Sequence, residues 1–329
     1  MPDCIDVHTH IVPEKFPAYA GKGRDVPWPS MADAQACHKH VMISGKIYRT
    51  VSDGCWSVPR RIADMGAMRV TRQAISPMPE LLSYWLPLED ARTMVRYLND
   101  VIAALVAAEP QRFTGLGAVP LQDMDAAMRE LEYCRKLGFA GVEIASHVNG
   151  VSIGDARYEP FFAAAEAMGA AIFVHALRPA GQDRIVGPFS EQAVCFPGDI
   201  GLACASMITG GIGARHPRLR IAFSHGGGVM PILLARLVHA WNVLPKAKEA
   251  LPESPAVTAR RFYYDELVFE PAAVRYVIAT FGASQVMVGS DYPFALGDAQ
   301  PVRTLEAAEL DAATFAAISS GNAKRFLAL

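Results

Sequence analysis

Ile5-Asp6-Val7-His8-Thr9-His10 is the stretch on which the fold turns. Ile5 and Val7 alternate with polar residues, the period-two pattern of a strand, and on a strand His8 and His10 point to the same face. Two imidazoles so placed at a strand end can hold one borderline-soft cation such as Zn²⁺. Three later stretches repeat the design. Ala171-Ile172-Phe173-Val174 ends in His175, Ile221-Ala222-Phe223-Ser224 ends in His225, and Val286-Met287-Val288-Gly289-Ser290 ends in Asp291. Each is an apolar β-type run whose last residue can ligate a metal or carry a proton. A pair of surface histidines explains one such stretch but not four.

Outward from these runs, the apolar spacing predicts helices over 59–68, 88–108, 123–137, 158–168, 200–210, 229–249 and 271–281. Further strands are predicted over 70–76, 113–119, 141–145 and 262–264, and two or three short helices finish the chain. Residues 11–58 lose the helix period and gather Pro, Gly and Trp. They read as an insertion folded over one end of the domain, with short strands about 41–43 and 46–51. Eight strands alternating with helices argue for a parallel sheet, and with one composition regime throughout they argue for a closed (β/α)₈ TIM barrel. The expectation is a single domain over 1–329 with an insertion at about 11–58. In such barrels chemistry sits at the C-terminal ends of the strands, so His8, His10, His175, His225 and Asp291 would open onto one mouth.

Composition narrows the function classes. Of 329 residues 51% are hydrophobic and 19% charged, which predicts a sizeable core and excludes a disordered chain. A net charge of −2 gives no global attraction for nucleic acid. The six cysteines show no C-x-x-C spacing, which fits reduced thiols in a cytoplasmic protein better than a disulfide framework. The metal-type strand starts by residue 5, so no signal peptide is expected before it. The apolar run 200–214 is short for a membrane span and carries several glycines; it reads as a buried helix, and no membrane segment is expected. No Gly-rich nucleotide motif is present, so no nucleotide cofactor is indicated.

His8, His10, His175 and Asp291 together make a three-histidine, one-carboxylate site with room for water, the open form expected of catalytic zinc. One Zn²⁺ per chain would lower the pKa of a bound water toward ~7. His225, followed by three glycines, is the natural proton carrier beside it, and Asp291 can both ligate and relay a proton. Cys37, His38 and His40 lie in irregular sequence without partner ligands and are set aside as a metal cluster, while His147 could line the mouth. His216 and His239 read as surface or interface residues.

The whole set resembles the amidohydrolase superfamily, which carries H-x-H after strand one, His after strands five and six and Asp after strand eight. Within it the chain resembles the branch of the 2-amino-3-carboxymuconate 6-semialdehyde decarboxylases. The matching pieces are D-x-H-T-H at 6–10, V-P-L-Q-D at 119–123, H-G-G-G at 225–228, G-S-D-Y-P-F at 289–294 and G-N-A at 321–323, with Arg236 and Trp241 after the glycines. One stretch departs. The branch tends to continue His-Pro-Trp-Asp after strand five, whereas here the chain reads His175-Ala176-Leu177-Arg178. Binuclear members of the superfamily need a Lys or Glu bridging from strand four; Gly141-Val142-Glu143-Ile144-Ala145 has no Lys, so one metal is expected and Glu143 is a minor ligand candidate.

The resemblance implies further roles. It places a carboxylate-binding arginine in the insertion, at Arg49, and puts Phe294 and Arg236 at the substrate. In relatives Arg236 comes across a dimer interface, which implies a homodimer. The expected function is a zinc-dependent, cofactor-free decarboxylase of a small unsaturated or aromatic carboxylate. The alternative is a hydrolase or hydratase of the same branch acting on a lactone, amide or activated alkene. A third reading, a non-catalytic metal-binding sensor, leaves His225 without a purpose.

Overall fold

The computed structural model describes residues 3–23, 25–187 and 191–329. Its first strand, β1 (Ile5–Ile11), is buried at all seven positions, as expected where one face meets the barrel interior and the other meets helices. The insertion follows as three antiparallel strands, β2 (Pro29–Asp33), β3 (His38–Ile43) and β4 (Lys46–Ser52). The barrel resumes with β5 (Arg72–Pro77), β6 (Phe113–Gly117) and β7 (Gly141–Ala145). A two-stranded hairpin, β8 (His147–Val148) and β9 (Val151–Ser152), interrupts it before β10 (Ala171–His175), β11 (Arg220–Phe223), β12 (Tyr263–Asp265) and β13 (Val286–Met287).

The eight barrel strands pair in the order β1-β5-β6-β7-β10-β11-β12-β13. Parallel bridges Asp6–Val288 and Thr9–Tyr292 bring the last back to the first. The Val7 amide donates to Val288 O at 2.9 Å and the His10 amide to Tyr292 O at 2.7 Å. This is the expected (β/α)₈ barrel, and it sets the segment containing Asp291 directly against His8 and His10.

The helices between the strands include α1 (Val58–Met68), α2 (Leu88–Ala108), α3 (Met124–Lys136), α4 (Glu159–Ala167), α5 (Glu191–Thr209), α6 (Ile212–Arg215) and α7 (Met230–Val243), and the helix expected over 271–281 is present as Pro271–Phe281. Local chemistry sets their ends. Asp123 caps α3 by accepting from the Ala126 amide at 2.8 Å, and Arg135 and Lys136 close its last turn against the helix dipole. Inside the barrel Ile5, Val7, Leu116, Phe173 and Met287 pack with Phe326 from the last helix. A larger cluster lies between strands and helices, and a third, with Val12, Val41, Val51 and Met94, roots the insertion on the barrel. Each such buried Leu, Ile or Phe contributes about 1.5–3 kcal/mol.

Three expectations need correction. Strand β2 was not foreseen. The helix expected over 200–210 runs from Glu191 to Thr209, and the apolar run 200–214 is broken at Gly210-Gly211 before α6. The helix expected over 229–249 is two, because Pro245 holds Leu244 in extended backbone between α7 and Pro245–Ala250. Among the described residues no helix is long and apolar enough to cross a membrane.

Candidate metal centre

The strand ends converge as the repeated pattern requires. One ligand atom from each of His8, His10, His175 and Asp291 lies within 4.8 Å of the others, the one such convergence among the described residues. The three imidazoles stand nearly edge to face, with ring centroids 5.0–5.1 Å apart. Each is oriented from behind. His8 Nδ1 meets Asp265 Oδ2 at 2.7 Å, His10 Nδ1 meets Pro77 O at 3.2 Å, and His175 Nδ1 meets Ala176 O at 2.7 Å. With Nδ1–H donating outward, every Nε2 presents its lone pair to the centre.

These inward atoms are the test of whether a metal fits. His8 Nε2, His10 Nε2, His175 Nε2 and Asp291 Oδ1 are all buried and none has a hydrogen-bond partner. Four acceptors orphaned at one point would be costly without a cation, and three imidazoles with one carboxylate match a divalent ion of the Zn²⁺ or Mn²⁺ type. The electrostatics mark the same point as a place for positive charge: burial opposes it, yet the bond to Asp265 and the charge of Asp291 raise His8 to about 9, so a proton there takes the place that a divalent ion would fill. Burial opposes ionisation of Asp291, yet the neighbouring His10 and His8 hold its carboxyl below the usual range. Burial, then the neighbouring His8 and His10, push His175 well down, so it stays neutral.

Asp291 sits at a left-handed φ of 59°, with its amide donating to His8 O at 2.8 Å, which turns its carboxylate back over the mouth. His225 lies outside the four-atom cluster. Its ring is 5.2 Å from that of His8 and 5.1 Å from that of His175. Burial, then the neighbouring His8, push it down to about 4, so at neutral pH it is an uncharged base. Gly228 carries positive φ, and a Cβ there would stand 1.9 Å from Pro197 O, so the tight turn behind His225 admits only glycine.

A cavity of 580 Å³ opens above the centre, lined by His175, Asp291, Phe294 and Arg49 among others. Phe294 stacks on His10 at 5.3 Å, and the Arg49 guanidinium lies 4.5 Å over the Phe294 ring. Arg236 is elsewhere, exposed on α7 and away from this chain's own cavity. Glu143 is fully buried but behind His10, where it accepts from Ser76 Oγ at 2.5 Å. It lies 3.7 Å from His10 Nδ1, the outward nitrogen, and is not in the ligand group. Cys37, His38 and His40 form no ligand group, although His38 lines the cavity, and His147 lines a separate one.

Two contributors were missed by sequence reasoning. Asp265, wholly buried, orients His8 through Oδ2 and accepts from the Gly226 amide through Oδ1 at 2.7 Å, so it ties a ligand to the His225 turn. Its signal was the one already in use: Tyr263-Tyr264-Asp265 is another run ended by a carboxylate. Arg61 is also buried and clamps the end of β1, donating to His10 O and Thr9 Oγ1, each at 2.9 Å.

A family model described as amidohydrolase matches residues 5–329. The 2-amino-3-carboxymuconate-6-semialdehyde decarboxylase of Dictyostelium discoideum is 35% identical over 99% of this chain and 91% of its own length. The crystal structure of 5-carboxyvanillate decarboxylase from Sphingomonas paucimobilis superposes with a TM-score of 0.79 at 25% identity, covering 100% of both chains. The 5-carboxyvanillate decarboxylase from Novosphingobium aromaticivorans, complexed with manganese and 4-hydroxy-3-methoxy-5-nitrobenzoic acid, gives 0.75 at 26% identity over 84% of this chain and 82% of its own.

Proposed function

The chain belongs to the amidohydrolase family, and from that premise we propose that it is a decarboxylase of a small unsaturated or aromatic carboxylate, holding one Zn²⁺ per chain and needing no organic cofactor. The observation that carries the reading is the set of four orphaned acceptors at the barrel mouth with an uncharged His225 standing just outside it. His8, His10, His175 and Asp291 would hold a divalent ion, which would supply Lewis-acid polarisation and a more acidic water at the site. The protein's own residues do the rest. Asp265 and the Pro77 and Ala176 carbonyls fix the ligand imidazoles. Arg49 binds a substrate carboxylate, and Phe294 offers a ring face against which a flat substrate packs. His225 takes up a proton at Nε2 and delivers it to the carbon from which CO₂ departs. The bond to the carboxyl carbon breaks, its electron pair takes that proton, and the balance is carboxylate plus proton giving CO₂ and the protonated product.

The likeness to carboxymuconate and carboxyvanillate decarboxylases supports a planar, conjugated acid as substrate. A homodimer, with Arg236 reaching the neighbouring subunit's mouth, accounts for a family arginine lying outside this chain's cavity. Six free thiols are consistent with a reducing, cytoplasmic setting. The test is paired: CO₂ release from carboxymuconate and hydroxybenzoate compounds, and metal analysis of the same purified protein. One divalent ion per chain with CO₂ evolved supports the proposal. Two ions per chain, or full activity without any, sinks the mononuclear site.

A further inference from the structure

The wall of the main cavity carries an ion pair that this chemistry does not use. Arg178 lies three residues beyond His175 in a left-handed φ of 47°. Its Nε donates to Glu80 Oε1 at 3.1 Å, its Nη2 reaches the same carboxylate, and the guanidinium lies 3.3 Å over the Trp85 ring centroid. Glu80 is only 4% exposed, whereas the Arg178 side chain is 46% exposed. Both line the 580 Å³ cavity that also holds His175, Asp291 and Arg49. A guanidinium has five N–H donors, and those on Nη1 have no hydrogen-bond partner among the described residues. The fork is therefore fixed on one edge and one face, with its remaining edge available to a ligand.

Charge decides what that ligand is. Arg49 enters no ion pair among the described residues, so its charge faces the cavity uncancelled. The charge of Arg178 is cancelled by Glu80 within hydrogen-bond distance, and Glu191, also on the cavity wall, adds a negative charge within range of Glu80. The Tyr48 phenol already faces Glu80 from the same wall, and a carboxylate keeps further lone pairs, so a second hydroxyl arriving here can donate to Glu80 and accept from Nη1 at once. A carboxylate would gain the Nη1 bonds but meet two like charges in a partly desolvated place.

Resting on the decarboxylase reading of the site, we propose that the Glu80–Arg178 pair is a specificity element: it takes a neutral hydroxyl on the substrate, away from the carboxylate held by Arg49, and turns away an additional carboxylate there. Stacking on Trp85 and the bonds to Glu80 pre-order the guanidinium, so little side-chain entropy is lost when the substrate arrives.

Calorimetric titration of the metal-loaded protein with 5-hydroxybenzene-1,3-dicarboxylate and benzene-1,3,5-tricarboxylate reads this directly, since the probes differ only in the third group. The hydroxy compound should bind at least about tenfold tighter, the size of a hydrogen bond to a charged partner. Glu80→Gln leaves the charge of Arg178 uncancelled and should bring the two affinities together or invert them. Arg178→Gln should weaken the hydroxy compound without helping the tricarboxylate. Equal affinities in the unaltered protein, a tighter tricarboxylate, a ratio unmoved by Glu80→Gln, or no binding of either probe at millimolar concentration overturns the proposal. If a variant fails to fold, unsubstituted benzene-1,3-dicarboxylate decides on the unaltered protein: the hydroxyl must improve on it and the third carboxylate must worsen it. Failure of the decarboxylase reading shows separately, as no CO₂ from any carboxylate while the binding ratio still holds.

Discussion

His225 sits in a backbone conformation that few side chains accept, at a φ of 54° with three positive-φ glycines behind it. Such a residue costs on the order of 1–3 kcal/mol and persists only where its surroundings demand it. What the turn gains here is an uncharged imidazole beside two metal-binding ones. His225→Asn keeps size and hydrogen bonding but cannot titrate, so it should retain fold and metal while kcat falls by roughly 10²–10⁴. Loss of the metal instead would make His225 a ligand, and an unchanged rate would make it structural. Glu266 offers a test of a different kind. It is wholly buried with both carboxylate oxygens unpartnered, and burial, then Asp265, Asp298 and Asp6, push its pKa well above 4.5. The native state keeps this proton while the unfolded chain releases it above about pH 4.5, so the group erodes stability as pH rises. Urea unfolding should find Glu266→Gln no better than the parent near pH 4.5 and progressively more stable toward pH 8, by at most about 1.4 kcal/mol per pH unit. An identical pH slope in both proteins would count against a buried, protonated Glu266. The ligands themselves were readable because each ends an apolar run. Asp265 escaped only because its strand was read as ending at Tyr264, whereas Glu80 and Arg178 gave no local signal: they meet across 98 residues of chain.

At the scale of elements, the proposed function assigns the substrate carboxylate to the insertion. Strand β4 pairs antiparallel with β3, Arg49 opposite Val41, and Arg49 shares its face of the strand with Val51, two residues on. Val41 and Val51 are buried in the cluster that roots the insertion, so this pairing aims Arg49 over Phe294 and the metal ligands. Arg49→Ala should raise KM sharply with metal content unchanged, since a charge-assisted contact in a desolvated place is worth on the order of 2–4 kcal/mol. Normal binding and turnover by that variant would mean the insertion is no substrate flap. Short strands are expected about 41–43 and 46–51, and β3 and β4 contain both, β3 starting three residues earlier. Strand β2, Pro29-Ser30-Met31-Ala32-Asp33, has almost no strand propensity and exists because β3 offers it a pairing edge. The N-terminal half of α5 was hidden in a similar way, because Pro197 and Gly198 suppress the helical pattern that tertiary packing restores.

For the molecule as a whole, the barrel could be read from the chain because βα alternation is a local pattern repeated eight times, and strand ends then share one mouth by geometry. A second subunit leaves no such pattern. What the structure offers is Arg236 exposed on α7, with Ile232 69% exposed on the same helix and Val243 and Leu244 55% and 54% exposed at its end, an apolar setting uncommon for a face meant for water. If Arg236 serves the neighbouring subunit's site in a homodimer, two inactive proteins should rescue each other. In a hybrid of Arg236→Ala with His225→Asn, one mouth receives an intact His225 from its own chain and an intact Arg236 from its partner, while the other mouth lacks both. Random exchange makes about half the dimers hybrid, each with one competent site of two, so mixing equal amounts should restore about a quarter of parental activity from two nearly inactive stocks. If Arg236 works within its own chain, each hybrid mouth carries one lesion and mixing restores nothing. A monomer at assay concentration, by sedimentation or light scattering, would remove the premise outright. The measurement therefore separates an arginine that completes a neighbour's site from one that serves its own, and an Arg236→Ala stock that is active before mixing marks the arginine as surface charge.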